Sequence, residues 1–221
     1  MTETKPDIAY AVNRVCQFMQ SPKDKHFQPV KRILMYLQGI SDYGLQFSSF
    51  FELSLVGFTD AIWGVDIDDR RSTSEYCIYF GGNLVSWSSR KQQVIARSTV
   101  EAEYRSVASA ASEVIWLAFL RKELQCSFHG KPTLWCDNTN TVVVCSNPVI
   151  HSKFKYVELD LFFVREMVAA GRLQVHEVPA YEQVVDVFTK PLSAPMFIRH
   201  RKKLLFSRIR KEGLALLTSF S

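Results

Sequence analysis

Apolar residues recur at helical spacing in the first forty positions, shift to shorter spacing from residue 51, and alternate between the two regimes thereafter. Ile8, Val12, Val15 and Met19 follow Pro6, which suits the opening turn of a helix, and predict a first helix. Ser21-Pro22 marks a second start. Val30, Ile33, Leu34 and Leu37 then share one face, and Gly39 supplies the stop. Pro29 interrupts this pattern and is expected to delay or kink the helix. Two short helices bury too little to stand alone, so they are expected to pack on something larger and to leave apolar surface exposed.

From residue 51 the pattern predicts strands at Leu53-Ser-Leu-Val-Gly-Phe-Thr59, Tyr76-Cys-Ile-Tyr-Phe80 and Leu84-Val-Ser-Trp-Ser88. Gly81-Gly82-Asn83 is a hairpin turn between the last two. A long helix is expected over residues 99 to 124. A fourth strand follows at Thr133-Leu-Trp-Cys136, short helices at 138 to 146 and 155 to 170, a fifth strand at 173 to 178, and a final helix from Glu182. Three meandering strands followed by helix-linked ones predict an α/β fold: a five-stranded mixed sheet with helices on its faces and a helical appendage before it.

Across 221 residues, 47% hydrophobic and 22% charged, the composition excludes disordered and collagen-like chains. No apolar run approaches the roughly 20 residues of a membrane helix. The start, Met1-Thr-Glu-Thr-Lys-Pro6, has the character of neither a signal nor a transit peptide. The expectation is an intracellular protein, cytoplasmic or nuclear, with no membrane partner. Five cysteines, never spaced C-x-x-C, fit a reducing compartment and argue against a disulfide framework or a zinc knuckle. The net charge of +5 resides in one stretch: residues 199 to 211 hold seven Lys or Arg and no acid, leaving 20 basic against 22 acidic elsewhere. That stretch is either a phosphate-contacting surface or an ordinary solvated helix face.

Four carboxylates stand among apolar neighbours. Asp60 closes the first strand and Asp137 the fourth. Glu103 lies in the first turns of the long helix, after the capping-type sequence Ser98-Thr99-x-Glu101, and Asp186 sits within Val184-Val-Asp-Val-Phe188. A buried charge needs a counter-charge or a metal. Oxygen donors on strand ends and helix starts, without His or Cys partners, suit hard cations such as Mg2+. Two such ions can activate a water and stabilise the leaving oxygen of a phosphodiester. One reading is therefore a metal-dependent nuclease, whose four acids converge on one side of the sheet. The plainer alternative makes one or two of these acids helix caps or surface pairs.

Longer motifs narrow the choice. Thr59-Asp-Ala-Ile-Trp63, Asp69-Arg-Arg-Ser-Thr-Ser74, Val85-Ser-Trp-Ser-Ser89, Ala96-Arg-Ser-Thr-Val-Glu-Ala-Glu-Tyr104, Trp135-Cys-Asp-Asn138, Phe163-Val-Arg-Glu166 and Val187-Phe-Thr-Lys-Pro-Leu192 occur in that order. Together they resemble the ribonuclease H domain that ends the Pol polyprotein of copia-type LTR retrotransposons. Lys5-Pro-Asp-Ile-Ala-Tyr10 through Arg32-Ile-Leu-Met-Tyr-Leu37 resembles the segment joining reverse transcriptase to that domain. The resemblance implies a ribonuclease H-like fold over residues 51 to 206, a helical remnant of the reverse transcriptase connection over 1 to 50, and a tail over 207 to 221. It implies an enzyme that cuts the RNA strand of an RNA–DNA hybrid, with two Mg2+ or Mn2+ held by Asp60, Glu103, Asp137 and Asp186. A reverse transcriptase polymerase domain, absent from this chain, is an implied partner. Glu103 is preferred to Glu101 because Glu103-Tyr104-Arg105-Ser106 fits the family pattern better. Two residues along a helix turn it by about 200°, so both cannot face one metal pair, and Glu101 takes the capping role.

Arg70 and Arg71 either hold substrate phosphate or serve a turn. Arg97 and Ser98 precede the helix that carries Glu103, at an end that favours anions. Asn138, next to Asp137, is a candidate for a ribose hydroxyl. The tryptophans at 63, 87, 116 and 135 are expected in the core. The family commonly has aspartate where Ile62 stands, glycine where Glu75 stands, and histidine where Tyr156 and Phe162 stand. These departures keep open a catalytically inactive nucleic-acid-binding remnant or a pseudogene fragment.

Overall fold

The computed structural model describes residues 5–49, 52–64, 69–126, 130–147, 158–190 and 192–208. Pro6 opens a short 3-10 turn that runs directly into α1 (Ala9–Cys16), and α2 (Asp24–Gly39) follows antiparallel to it. α2 continues through Pro29 rather than starting after it. Next comes β1 (Tyr43–Leu45), then the meander β2 (Leu55–Ile62), β3 (Thr73–Phe80) and β4 (Asn83–Lys91). The β3–β4 hairpin closes through Gly81 and Gly82, at φ 54 and 75, which the two-residue turn requires of both residues.

α3 (Thr99–Glu123) begins where Ser98 Oγ accepts the N–H of Glu101 at 3.2 Å, and ends on Arg121 and Lys122, which suit its negative pole. β5 (Thr133–Cys136), α4 (Thr139–Ser146), α5 (Glu158–Ala169) and β6 (Gln174–Glu177) complete the sheet. Its order is β4-β3-β2-β5-β6, with β5 and β6 parallel to β2. The expected five-stranded mixed α/β sheet is the fold.

The sheet has a core on each face. On one, the small residues Ala102, Ser106, Ala110 and Ala111 let α3 lie close over β2 and β3, with Leu55, Ile78, Leu134 and Val164 filling the layer. On the other, Cys77, Tyr79 and Leu84 pack against Val184, Val185 and Phe188. The single final helix expected from Glu182 is instead a 3-10 turn at Ala180–Glu182, a one-turn α6 (Asp186–Thr189) and α7 (Ala194–Lys203). The sequence carries prolines at 191 and 195, which break any longer run.

A second, two-stranded sheet pairs β1 with β7 (Phe206–Arg208), Tyr43 opposite Arg208. It joins the helical segment to residues beyond the main sheet. Lys5 Nζ donates to the carbonyls of Ile40 and Tyr43, both at 3.1 Å, and Asn13 donates to the carbonyl of Ser89. Ile8 and Ile40 are buried, whereas Met19, Phe27, Leu34 and Met35 remain exposed. Trp63 and Trp116, expected inside, are 49% and 56% exposed: one lies past the end of β2 and the other on the outer side of α3. Trp63 still donates its ring N–H to the carbonyl of Ala96.

Candidate active site

β2 runs between antiparallel β3 and parallel β5, so the carboxyl ends of β2 and β5 open side by side. Ligands of open α/β sheets collect at such a place. β5 stops at Cys136, opposite Thr59. Asp60 is thus one residue past the last rung on β2, and Asp137 is the first residue past β5. Asp60 is only 2% exposed, and its Oδ1 accepts the N–H of Ala61 at 2.8 Å.

The four acids do not share one face of the sheet. Asp60 stands opposite Glu75 in the register, on the side where Phe58 and Cys77 join the α6 core. Glu103 arrives from α3, which covers the opposite face. They meet because β5 is too short to separate them. Glu103 feels the charges of Asp60 and Asp137, and the ligand atoms of Glu103, Cys136 and Asp137 all fall within 4.8 Å of one another. Asp186, first residue of α6, completes the group through Lys190. The lysine Nζ lies 3.0 Å from Asp60 Oδ2 and 2.7 Å from Asp186 Oδ1. Glu101 is also buried but is differently engaged. It accepts the N–H of Arg97 at 2.8 Å and pairs with Arg105 at 3.1 Å.

Crowding shifts these groups. Burial first, and then the charge of Asp60, push the Glu103 carboxyl far above the usual carboxylate range. Burial and Asp60 also raise Asp137. Asp186 is pushed up to about 6, by burial against the pull of Lys190. Burial pulls the Lys190 ammonium down, but Asp60 and Asp186 outweigh that and hold it above its ordinary value.

The donor set fits a hard divalent cation. Four carboxylates converge, and Glu103 Oε2 is buried without a hydrogen-bond partner. Cys136 is the third member of the Glu103 and Asp137 group; its sulfur accepts the N–H of Asn138 at 3.5 Å, burial raises its thiol above normal, and hard cations favour the carboxylate oxygens over sulfur.

The other expected residues are spread around this centre. Asn138 caps α4, its Oδ1 accepting the N–H of Thr141 at 3.0 Å, so its carbonyl oxygen is already engaged. Ser98 is likewise committed as the cap of α3, and Arg97 beside it is exposed. Arg71 pairs with Asp69 at 3.6 Å, and Arg70 is exposed at φ 57. Several basic residues of the described part of this stretch are engaged by neighbours of the same chain. Arg199 meets Glu182, Arg201 lies over the rings of Tyr43 and Phe197, and Arg208 pairs with Asp42. Residues 209 to 211, and His129, His151 and Tyr156, lie outside the described residues.

Sequence reasoning gave no role to three residues here. Lys190 sat inside a recognised motif, four residues after Asp186. Pro191 disfavours helical backbone before it, and Lys190 is accordingly extended (φ −87, ψ 138), which ends α6. Glu75 occupies an inward position between Thr73 and Cys77, and an acid there was the available signal. It is fully buried and receives hydrogen bonds from Ser89 (2.9 Å) and Thr189 (2.6 Å). Gln183, also fully buried, donates to the carbonyl of Thr59 at 3.0 Å.

No protein-family model matches the chain. It is 43% identical over 201 residues to the retrovirus-related Pol polyprotein from transposon RE2 of Arabidopsis thaliana, a match covering 91% of this chain and 14% of that polyprotein. It is 36% identical over 191 residues to the counterpart from transposon TNT 1-94 of Nicotiana tabacum, covering 86% and 14%. The chain thus spans about a seventh of the length of these curated relatives. Among solved structures it is similar to LC11-RNase H1, isolated from compost, at a TM-score of 0.45 and 16% identity, covering 61% of this chain and 91% of that one.

Proposed function

The chain belongs to the retrovirus-related Pol polyproteins of copia-type transposons, and on that footing we propose that it is their ribonuclease H-type nuclease, cutting the RNA strand of RNA–DNA hybrids with divalent metal ions. The observation that carries the reading is the meeting of Asp60, Glu103, Asp137 and Asp186 beyond the end of β5, with a buried Glu103 oxygen left unpartnered. Mg2+ or Mn2+, when bound, would supply an activated water and charge stabilisation at the leaving oxygen. The chain's own part is to hold and orient. β2 and β5 present Asp60 and Asp137 from rigid backbone, α3 delivers Glu103, and the single turn of α6 delivers Asp186. Gln183 ties the strand end of β2 to the segment before α6.

Discrimination of RNA from DNA would rest on ribose hydroxyls and A-like groove shape, with little dependence on base sequence. The exposed Arg70 and Arg97 are the phosphate contacts this reading uses. The test is incubation of purified protein with an end-labelled RNA–DNA hybrid, with MgCl2, with EDTA, and with the Asp137→Asn variant. Metal-dependent cutting of the RNA strand alone supports the reading. Hybrid binding of normal salt dependence without cleavage replaces it with a non-catalytic binding remnant.

A further inference from the structure

We propose that Lys190 is a tethered stand-in cation: its ammonium neutralises Asp60 and Asp186 while no divalent ion is bound, and metal loading must displace it. The inference rests on the nuclease reading above and assigns a role within that site. The two carboxylates come from elements far apart in the chain, and one Nζ atom bridges them at 3.0 and 2.7 Å. Among the described residues it is the one cation in ion-pair contact with the four acids. Both oxygens belong to acids that would hold the metal under the nuclease reading.

The lysine is built to let go. Its backbone is pinned. The N–H of Lys190 donates to the carbonyl of Asp186 at 2.9 Å, and the preceding Thr189 is anchored on buried Glu75 at 2.6 Å. Its side chain is 38% exposed. The ammonium can therefore swing into solvent on its four-carbon stem without dismantling the core. A divalent ion brings twice the charge and takes more oxygens, which makes exchange favourable once metal is present. The arrangement keeps a crowded acid cluster folded before loading, and lowers its metal affinity in return.

Isothermal titration of Mn2+ and Mg2+ into the metal-stripped 221-residue chain tests this without reference to activity. Lys190→Met should bind metal at least about tenfold more tightly than wild type, because a contacting positive charge has been removed. Its melting temperature should fall in EDTA and recover at saturating Mn2+. Lys190→Arg retains the charge, should bind no more tightly than wild type, and controls for lost packing. A folded Lys190→Met with unchanged or weaker metal affinity overturns the stand-in role and leaves the nuclease reading intact. If neither wild type nor Lys190→Met binds either ion at millimolar concentration, the metal site itself falls, and this role with it.

Discussion

The hydroxyl of Thr189 donates to Oε2 of Glu75 at 2.6 Å, fixing the backbone next to Lys190 on a fully buried acid of β3. Burial raises the Glu75 carboxyl well above its ordinary range, and the charge of Asp60 adds to the effect against the hydrogen bonds from Thr189 and Ser89.

That shift favours the protonated carboxyl, so Glu75→Gln, uncharged and of the same shape, should change stability by less than about 0.5 kcal/mol. Glu75→Ala strands the Ser89 and Thr189 hydroxyls and opens a void, and should cost about 2–4 kcal/mol. Urea denaturation of both variants checks the pair. A Gln variant as damaged as the Ala variant would mean that Glu75 is ionised in the fold.

Glu103→Gln should abolish metal-dependent cleavage and yet stabilise the metal-free protein at pH 8, by on the order of 1–2 kcal/mol. The carboxyls of Glu103 and Asp186 are raised on folding, so the native state holds more protons than the unfolded chain at neutral pH. Their contribution is fully present below the unfolded values of 4.5 and 3.8, and is lost as pH rises through the folded ones, about 6 for Asp186. His200 acts in the other direction. It is fully buried, with both ring nitrogens unbonded, and burial lowers its value from 6.5, so its contribution is present above that value and lost as pH falls. Melting temperatures in EDTA should therefore decline from pH 6.5 to pH 8, where His200 no longer contributes a slope, and Glu103→Gln should flatten the decline. Saturating Mg2+ should remove it.

Asp137→Asn should reduce cleavage by at least about a thousandfold, since a metal-holding oxygen is lost from the centre of the site. Hybrid affinity should stay within a few-fold, because the exposed arginines are untouched. Gel-based cleavage alongside fluorescence anisotropy separates the two effects.

Gly57→Ala probes the layer beneath the site. A Cβ there would lie 2.5 Å from Cδ2 of Leu134, a side chain with no exposure of its own and little room to retreat. The cost should be about 1–3 kcal/mol. Leu134→Ala in the same chain should relieve the overlap, so that the double variant loses less than the sum of the singles.

The central sheet was legible because its strands alternate over enough residues to declare a face, and Asp60 and Asp137 because each closes an apolar run. What escaped reading depended on distant partners. Lys190 acquires its role from Asp60, on the central strand and distant in sequence, and Glu75 from Thr189, 114 residues away. β1 and β7, three residues each, are too short for any period to show. The placing of the acids on one face failed for a related reason: the meeting depends on β5 ending at Cys136, and strand length is weakly encoded in local pattern.

The small sheet of β1 and β7 also bears on the order in which the molecule assembles. Gln46 and Arg208, joined across it, are 162 residues apart. Closing so long a loop for a few hydrogen bonds repays little entropy until nearly everything between is in place. The small sheet should therefore form late in folding and open early, as a unit of low local stability. Amide exchange at Tyr43 to Leu45 and at Ser207 should outpace that of β2 by orders of magnitude, and each opening would release α7 together with the helical segment while the acid cluster stays assembled.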